Sequence, residues 1–366
     1  MGNVDFRPYF GSLKSKAFQV ENSRGRRYPV ETDEDAAYIQ VFGPFFVDRE
    51  KICLSKSFRR LADKTQVFID HKENSHVRDR KIHTDEVASM SIQIAGVLGL
   101  NVCLAEAIAL GHDLGHTPFG HLGERAIAEI SGKDFRHEIM SVVMAQKVER
   151  AGQGLNLSFE VLEGILKHSC GADDLKIDPT LPLEYGVVML ADKIAYVFSD
   201  LNDALRLGYF TETELPLELF SLGKNQRERW LNCVFSLVKE SSEKGALSFH
   251  DSEVAQQFNV LRSWSFKNFY KTINDQEGSV KGTSELKTVY KFFNENFGLF
   301  SYDPLLSLAL LTDREVKKII TFAEHPTIRD IKGLEKFSFV EILRKFPIDH
   351  KIDIFNPDLN SKDFQY

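Results

Sequence analysis

The sequence predicts an all-α protein, and three observations carry that expectation. Apolar residues recur at three- and four-residue intervals through most of the chain beyond about residue 55. Strand-like alternation is confined to few, short stretches, and Gly and Pro punctuate the periodic runs where helices would have to stop.

Taken in order, residues 1–47 mix Gly, Arg and aromatic residues with a charged insert and read as an irregular arm. An amphipathic helix then carries Val87, Met90, Ile94, Val97 and Leu98, with Thr84, Asp85 and Glu86 near its start and Gly99 at its end. A second helix runs from about Val102 to His112 and breaks at Gly115, since Gly115, Pro118 and Gly120 cannot all continue it. Further helices are expected around 137–150, 158–168, 184–207, 226–243, 253–273, 283–296, 303–310 and 335–345. The stretch 208–225 mixes Gly, Pro and acidic residues between two periodic regions and marks the best internal boundary. This gives three parts: the arm over 1–47, a core over 48–210, and a mainly helical region over 211–366. The last dozen residues, from about Phe355, are polar and are expected to be loosely held.

With 366 residues, 43% of them hydrophobic and 27% charged, the chain has enough apolar side chains for a large core, which excludes disorder. Its formal charge of -7 argues against a protein whose main task is coating nucleic acid or anionic membrane. The four cysteines form no CxxC pair, so neither a disulfide framework nor a thiolate zinc site is suggested, and a reducing cytoplasm is the simplest setting. No apolar run approaches the roughly 18 residues of a membrane span. Gly115 to Gly120 has the spacing of a phosphate loop but is followed by His121 rather than Lys, so a P-loop nucleotidase is unsupported.

The chemistry concentrates in the run HDLGHTPFGHLGE at 112–124. His112, Asp113, His116, His121 and Glu124 lie on a helix end followed by a tight turn, an arrangement that lets side chains converge. An adjacent His-Asp pair offers one neutral nitrogen and one anionic oxygen, a half-site for Mn, Fe, Mg, Co, Ni or Zn, but two ligands hold a divalent ion poorly. His83 and Asp192 are candidates to complete the set. Asp192 ends the apolar run from Val187 to Ala191, where a carboxylate costs desolvation energy unless it is paired or metal-bound; a helix-capping role is the alternative.

These residues resemble the HD superfamily of metal-dependent phosphohydrolases, and more closely its deoxyguanosine-triphosphate triphosphohydrolase family. The resemblance rests on SKSFRRLADKTQVF at 55–68, HDLGHTPFGHLGE at 112–124 and LADKIAYVFSDLNDALRLG at 190–208, with supporting similarity at SRGRRYP (23–29) and GPFFVDREKI (43–52). It implies an HD-type catalytic core and a divalent metal, Mn or Mg first, held by His83, His112, Asp113 and Asp192. It implies catalytic roles for His121 and Glu124, in which the carboxylate orients the imidazole for nucleophile activation or proton transfer, with His116 and His137 near the phosphates. Arg80 and Lys193 match phosphate-binding positions, while Gln66, Tyr196 and Asp200 match groups around the deoxyribose. Tyr196, four residues after Asp192, has core packing as its alternative.

The expected reaction is hydrolysis of a deoxynucleoside triphosphate, dGTP first, to the deoxynucleoside and tripolyphosphate. A nucleotide effector, a homo-oligomer and weak binding of single-stranded nucleic acid are further properties the resemblance admits. The competing readings are an HD phosphohydrolase of another nucleotide and a nucleotide-sensing or nucleic-acid-binding HD protein. The chain departs from bacterial members in reading Ala191-Asp192-Lys193, in Ser199-Asp200, and in Glu324-His325-Pro326-Thr327-Ile328-Arg329-Asp330 near its end.

Overall fold

The computed structural model describes residues 4–30, 32–69, 74–169, 175–275, 277–296, 303–324, 337–346 and 351–365. Among these residues the secondary structure is helical, with isolated β-bridges only. The helices that matter below are α1 (Asp33–Phe42), α2 (Pro44–Leu54), α3 (Arg80–Leu98), α4 (Val102–Gly111), α5 (His121–Ser131), α6 (His137–Val143), α7 (Phe159–Lys167) and α8 (Leu183–Arg206). They are followed by α9 (Gln226–Lys244), α10 (Glu253–Trp264), α11 (Tyr270–Asn274), α12 (Glu277–Glu295), α13 (Pro304–Ala309), α14 (Asp313–Glu324) and α15 (Ser338–Leu343).

Local chemistry explains where the central pair begins and ends. Asp79 accepts from the Ile82 N–H at 2.9 Å and starts α3, which stops at Gly99 in the left-handed region, φ 77°. Asn101 then accepts from the Leu104 N–H at 3.1 Å and starts α4, so the three residues Gly99, Leu100 and Asn101 turn the chain. Apart from Glu106, which pairs with Arg49 at 2.9 Å, helix α4 is apolar because neighbours cover it: α2, α3, α7 and α8 all pack against it. Helix α3 also packs along α8, and α9 supports α8 from beyond. The three elements carrying His83, His112-Asp113 and Asp192 are thereby held side by side. Buried apolar residues from Leu13 to Phe364 form one contiguous cluster around this frame.

Several expectations are corrected. The arm over 1–47 contains α1, started by Thr32, whose hydroxyl accepts from the Asp35 N–H at 3.0 Å. Its apolar residues Tyr38, Val41 and Phe42 are exposed, so no buried stripe announces the helix. The last residues are not loose: Arg26 and Gln365 exchange two backbone hydrogen bonds of 2.9 Å, and the buried Phe364 ring meets Phe159 at 5.2 Å. The helix expected over 137–150 changes to a π-helical turn at Met144–Val148 and then bends through Arg150 and Ala151, both at positive φ. The helix expected over 253–273 is likewise interrupted by a π turn at Ser265–Phe269, which resets the register before Tyr270. Helices α5 and α14 were not anticipated as elements. Residues 325–330 and Cys170 lie outside the described residues.

Candidate active site

Helix α3 brings up Arg80 and His83 one turn apart on a buried face. The turn after α4 supplies His112, Asp113 and His116, and α8 supplies Asp192, Lys193, Tyr196 and Asp200. The turn is tight because Gly115 sits against α6: a Cβ there would fall 2.1 Å from the Ser141 nitrogen and 2.6 Å from the His137 carbonyl oxygen. Gly120, at φ 57°, has the Arg80 guanidinium 2.7 Å from where its Cβ would be. These two glycines let the turn approach its neighbours closely enough for its histidines to share one cavity with α3 and α6.

The four candidate ligands meet. His83 Nε2 lies 3.0 Å from Asp192 Oδ1 and 4.0 Å from Asp113 Oδ2; His112 Nε2 lies 3.3 Å from Asp113 Oδ1 and 3.9 Å from Asp192 Oδ1. His112 donates its Nδ1–H to the Ala109 carbonyl at 2.6 Å, which leaves Nε2 as a bare lone pair. That nitrogen is buried with no hydrogen-bond partner. A buried, unsatisfied nitrogen beside two carboxylates is what a divalent cation repairs, so this donor set fits a metal ion. Asp192 ligates nothing as a cap: it lies within α8, nine residues past its first residue.

Next to this set, Glu124 collects three imidazoles. Its Oε1 lies 2.9 Å from His116 Nδ1, 3.2 Å from His121 Nδ1 and 3.0 Å from His137 Nδ1. The His116 and His137 rings stack at 3.9 Å. Two stacked imidazolium ions would repel, and the surroundings divide the charge between them. Burial, then the Arg80 and His137 charges, push His116 down to about 3, so it is neutral. Burial also opposes charge on His137, but Glu124 outweighs it and lifts the ring to about 9. Glu124 is itself held well below the usual carboxylate range: burial works against ionisation, and His137 and His121 overcome it. The His121 side chain is the exposed member, 62% accessible.

Arg80 is fully engaged. Its Nη1 lies 3.0 Å from Asp113 Oδ2 and 2.8 Å from His116 Nε2, while Nε and Nη2 donate to the Thr65 and Gln66 carbonyls. A guanidinium only donates, so His116 Nε2 accepts and the ring's hydrogen sits on Nδ1, facing Glu124. At the far end Asp200 accepts from the Tyr270 hydroxyl at 2.7 Å, and burial pushes its carboxyl up to about 7. Tyr196 meets the rings of Phe266 and Tyr270 at 6.4 Å each. Gln66 Oε1 is buried without a partner.

Twelve of the thirteen sequence-predicted residues line one cavity of about 1270 Å³: Gln66, Arg80, His83, Asp113, His116, His121, Glu124, His137, Asp192, Lys193, Tyr196 and Asp200. His112 stands directly behind them, 1% exposed. The sequence reading missed His168, Phe266 and Tyr270, which line the same cavity. His168 ends the expected helix 158–168 as His112 ends the helix before the turn, and that parallel was a readable signal. Tyr270 gave none, because the π turn preceding it breaks the spacing.

The HD domain model matches residues 80–197, from Arg80 to just past Tyr196. The chain is 39% identical over 290 residues to a deoxyguanosinetriphosphate triphosphohydrolase-like protein of Clostridium tetani, covering 78% of this chain and 81% of that one. The chain belongs to the deoxyguanosinetriphosphate triphosphohydrolase-like family. Proteins of the same name from Caldanaerobacter subterraneus, 38% identical over 78% of this chain and 80% of theirs, and Cereibacter sphaeroides, 41% identical over 77% and 87%, agree. Membership of this family makes the chain a hydrolase built on the HD metal-dependent phosphohydrolase fold, and no described helix is long and apolar enough to cross a membrane.

Proposed function

We propose that the protein hydrolyses deoxynucleoside triphosphates, dGTP foremost, to the deoxynucleoside and tripolyphosphate. The observation that carries this reading is the single cavity that joins a cation-binding donor set, a carboxylate shared by three histidines, and an aromatic end closed by a buried carboxyl. The names of the relatives support the nucleotide class.

His83, His112, Asp113 and Asp192 would hold a divalent ion, Mn or Mg first among those these donors admit. Such an ion polarises a phosphoryl oxygen and lowers the pKa of water. Arg80, clamped onto Asp113 and His116, keeps the carboxylate ionised and the imidazole in its Nδ1–H tautomer. Lys193 and the charged His137 face the cavity where phosphate charge must be balanced, with the neutral His116 stacked beside His137. The exposed His121, oriented by Glu124, exchanges a proton with the departing or attacking oxygen at the α-phosphorus. At the other end Asp200 and Gln66 present oxygen atoms to the sugar 3′-hydroxyl, and the Tyr196 ring stands where a 2′-hydroxyl would collide.

The test is product analysis. Purified protein with Mn²⁺ or Mg²⁺ is given each dNTP and NTP, singly and mixed, and products are separated by ion-pair chromatography. Deoxynucleoside with tripolyphosphate is the expected outcome. Pyrophosphate with the monophosphate would overturn it.

A further inference from the structure

Asp313 opens α14 and lies beyond the residues 80–197 that match the HD domain model, yet its buried carboxylate reaches the turn after α4. Its Oδ1 accepts from the Phe119 N–H at 2.9 Å, and its Oδ2 accepts from the Thr65 N–H at 2.8 Å and from the Thr65 hydroxyl. The start of the helix leaves it free for this. Thr312 and Glu315 cap reciprocally: the Thr312 N–H donates to Glu315 Oε2 at 2.9 Å, and the Glu315 N–H donates to the Thr312 hydroxyl at 3.4 Å. The other oxygen of Glu315 accepts from the Ser338 N–H at 2.7 Å and ties the same turn to α15.

The two segments that Asp313 holds bear on one guanidinium. The Thr65 and Gln66 carbonyls accept from Arg80 Nε at 3.2 Å and Nη2 at 3.1 Å, and a Cβ on Gly120 would fall 2.7 Å from Arg80 Nη2. Residues 65–66 and Phe119–Gly120 thus flank Arg80, and each oxygen of Asp313 secures one flank. The second flank needs securing. Phe119 has φ 61°, a region that a residue with a Cβ enters at a cost, so the bend persists only where its surroundings hold it. His121 follows Gly120 and Gln66 follows Thr65, so a shift in either flank is passed to a side chain that lines the cavity.

We infer that Asp313 is a positioning residue of the active site: it acts by fixing the Phe119–Gly120 bend and the Thr65–Gln66 segment around Arg80. Its effect on turnover rests on the hydrolase reading proposed above. What the position requires is acceptor capacity, since these three donors converge on two carboxylate oxygens and an amide offers them only one. Helix α14 is thereby part of the active-site framework.

The test compares Asp313→Asn and Asp313→Ala with Val316→Ala, which removes buried atoms from the same helix and none of the three hydrogen bonds. Hydrogen exchange is read residue by residue by NMR on metal-free protein, and kcat from tripolyphosphate release with Mn²⁺ and each dNTP, at a temperature where thermal melts show every variant folded. In the unaltered protein the Thr65 and Phe119 amides, both outside helices, should exchange as slowly as the helical amides of α3; rapid exchange overturns the clamp even where no Asp313 variant folds. Asp313→Asn should release one of the two amides and lower kcat ~10-fold, and Asp313→Ala should release both and lower it ~10²-fold. Val316→Ala should lose stability and keep the parental kcat. Amides that stay protected in both Asp313 variants overturn the clamp; released amides with parental kcat overturn the positioning role. Equal losses of kcat in all three variants overturn it as well, since they trace to helix stability. An unaltered protein that turns over no nucleotide overturns the proposed reaction instead, and the exchange data then decide alone whether Asp313 holds the turn.

Discussion

Along one face of α8, Asp192 and Asp200 lie about 12 Å apart, and the cavity treats its carboxyl groups in opposite ways at the two ends. At the Asp192 end, Asp113 and Glu124 are buried yet held well below the usual carboxylate range: burial resists ionisation, and the surrounding histidines, with Arg80 beside Asp113, overcome it. At the Asp200 end, burial dominates, the Tyr270 hydroxyl offsets it only in part, and the carboxyl is pushed up to about 7. The same side-chain chemistry is made anionic beside the candidate cation ligands, and about half neutral near pH 7 at the aromatic end. Neighbours, more than residue type, assign the roles.

The sharpest way to break this comparison is at the charged end. Asp113→Asn keeps the volume and removes the anion that His83, His112, His116 and Arg80 all face. It should lower kcat by at least ~10³-fold and abolish tight Mn²⁺ binding, with the metal-free melting temperature little changed. Retained turnover with retained metal would show that the anionic end is structural.

Glu124→Gln probes the same end one layer out, and a loss of ~10²-fold in kcat with KM nearly constant is expected. Because Glu124 is what lifts His137 to about 9, the His137 ring should titrate at lower pH in the metal-free variant, read by NMR of the imidazole resonances. An unmoved His137 titration would mean that another group holds its proton.

At the neutral end the sign reverses. Asp200 has a folded-state pKa raised above its unfolded value, so its contribution to stability is fully present below about pH 4 and is lost as pH rises through about 7. Asp200→Asn removes that loss while still accepting from the Tyr270 hydroxyl. The variant should be more stable than the parent by on the order of 2 kcal/mol at pH 8, and the gain should vanish near pH 4, measured by denaturant melts at both values. A gain independent of pH would show that packing, not ionisation, was relieved. Raised stability with weakened substrate binding would identify Asp200 as a functional residue whose charge costs the fold.

How much of this was legible depended on spacing. Thr84 to Gly99 announced α3 because its buried face repeats at three and four residues, and the HD turn announced itself through glycines whose necessity the structure explains by contact with Ser141 and Arg80. The three-histidine carboxylate was half legible: the sequence paired Glu124 with His121 alone, since His116 and His137 reach it only after the turn and α6 fold back. Helix α1 was hidden because its apolar residues face outward. Tyr270 was hidden by the π turn at Ser265–Phe269, and the last residues are tied down by Gln365 pairing with Arg26, a contact that spans nearly the whole chain. Local periodicity is written in consecutive residues, whereas register shifts and end-to-end contacts are settled by tertiary packing.

The smallest expected effect lies midway between the two ends, at Tyr196. Its ring is partly buried, lines the cavity, and stands one helical turn from both Asp192 and Asp200. If it only packs, Tyr196→Ala would lower stability and leave substrate choice alone. If it forms the wall against C2′, the same change should admit ribonucleotides, shifting the dNTP/NTP ratio of kcat/KM by ~10-fold, or about 1.4 kcal/mol of discrimination. Tyr196→Phe keeps the ring and loses only the hydroxyl, so it should retain the parental ratio. Selectivity lost in the alanine variant and kept in the phenylalanine variant would assign exclusion to the ring itself; loss in both would transfer it to the hydroxyl, and loss in neither would return Tyr196 to the core.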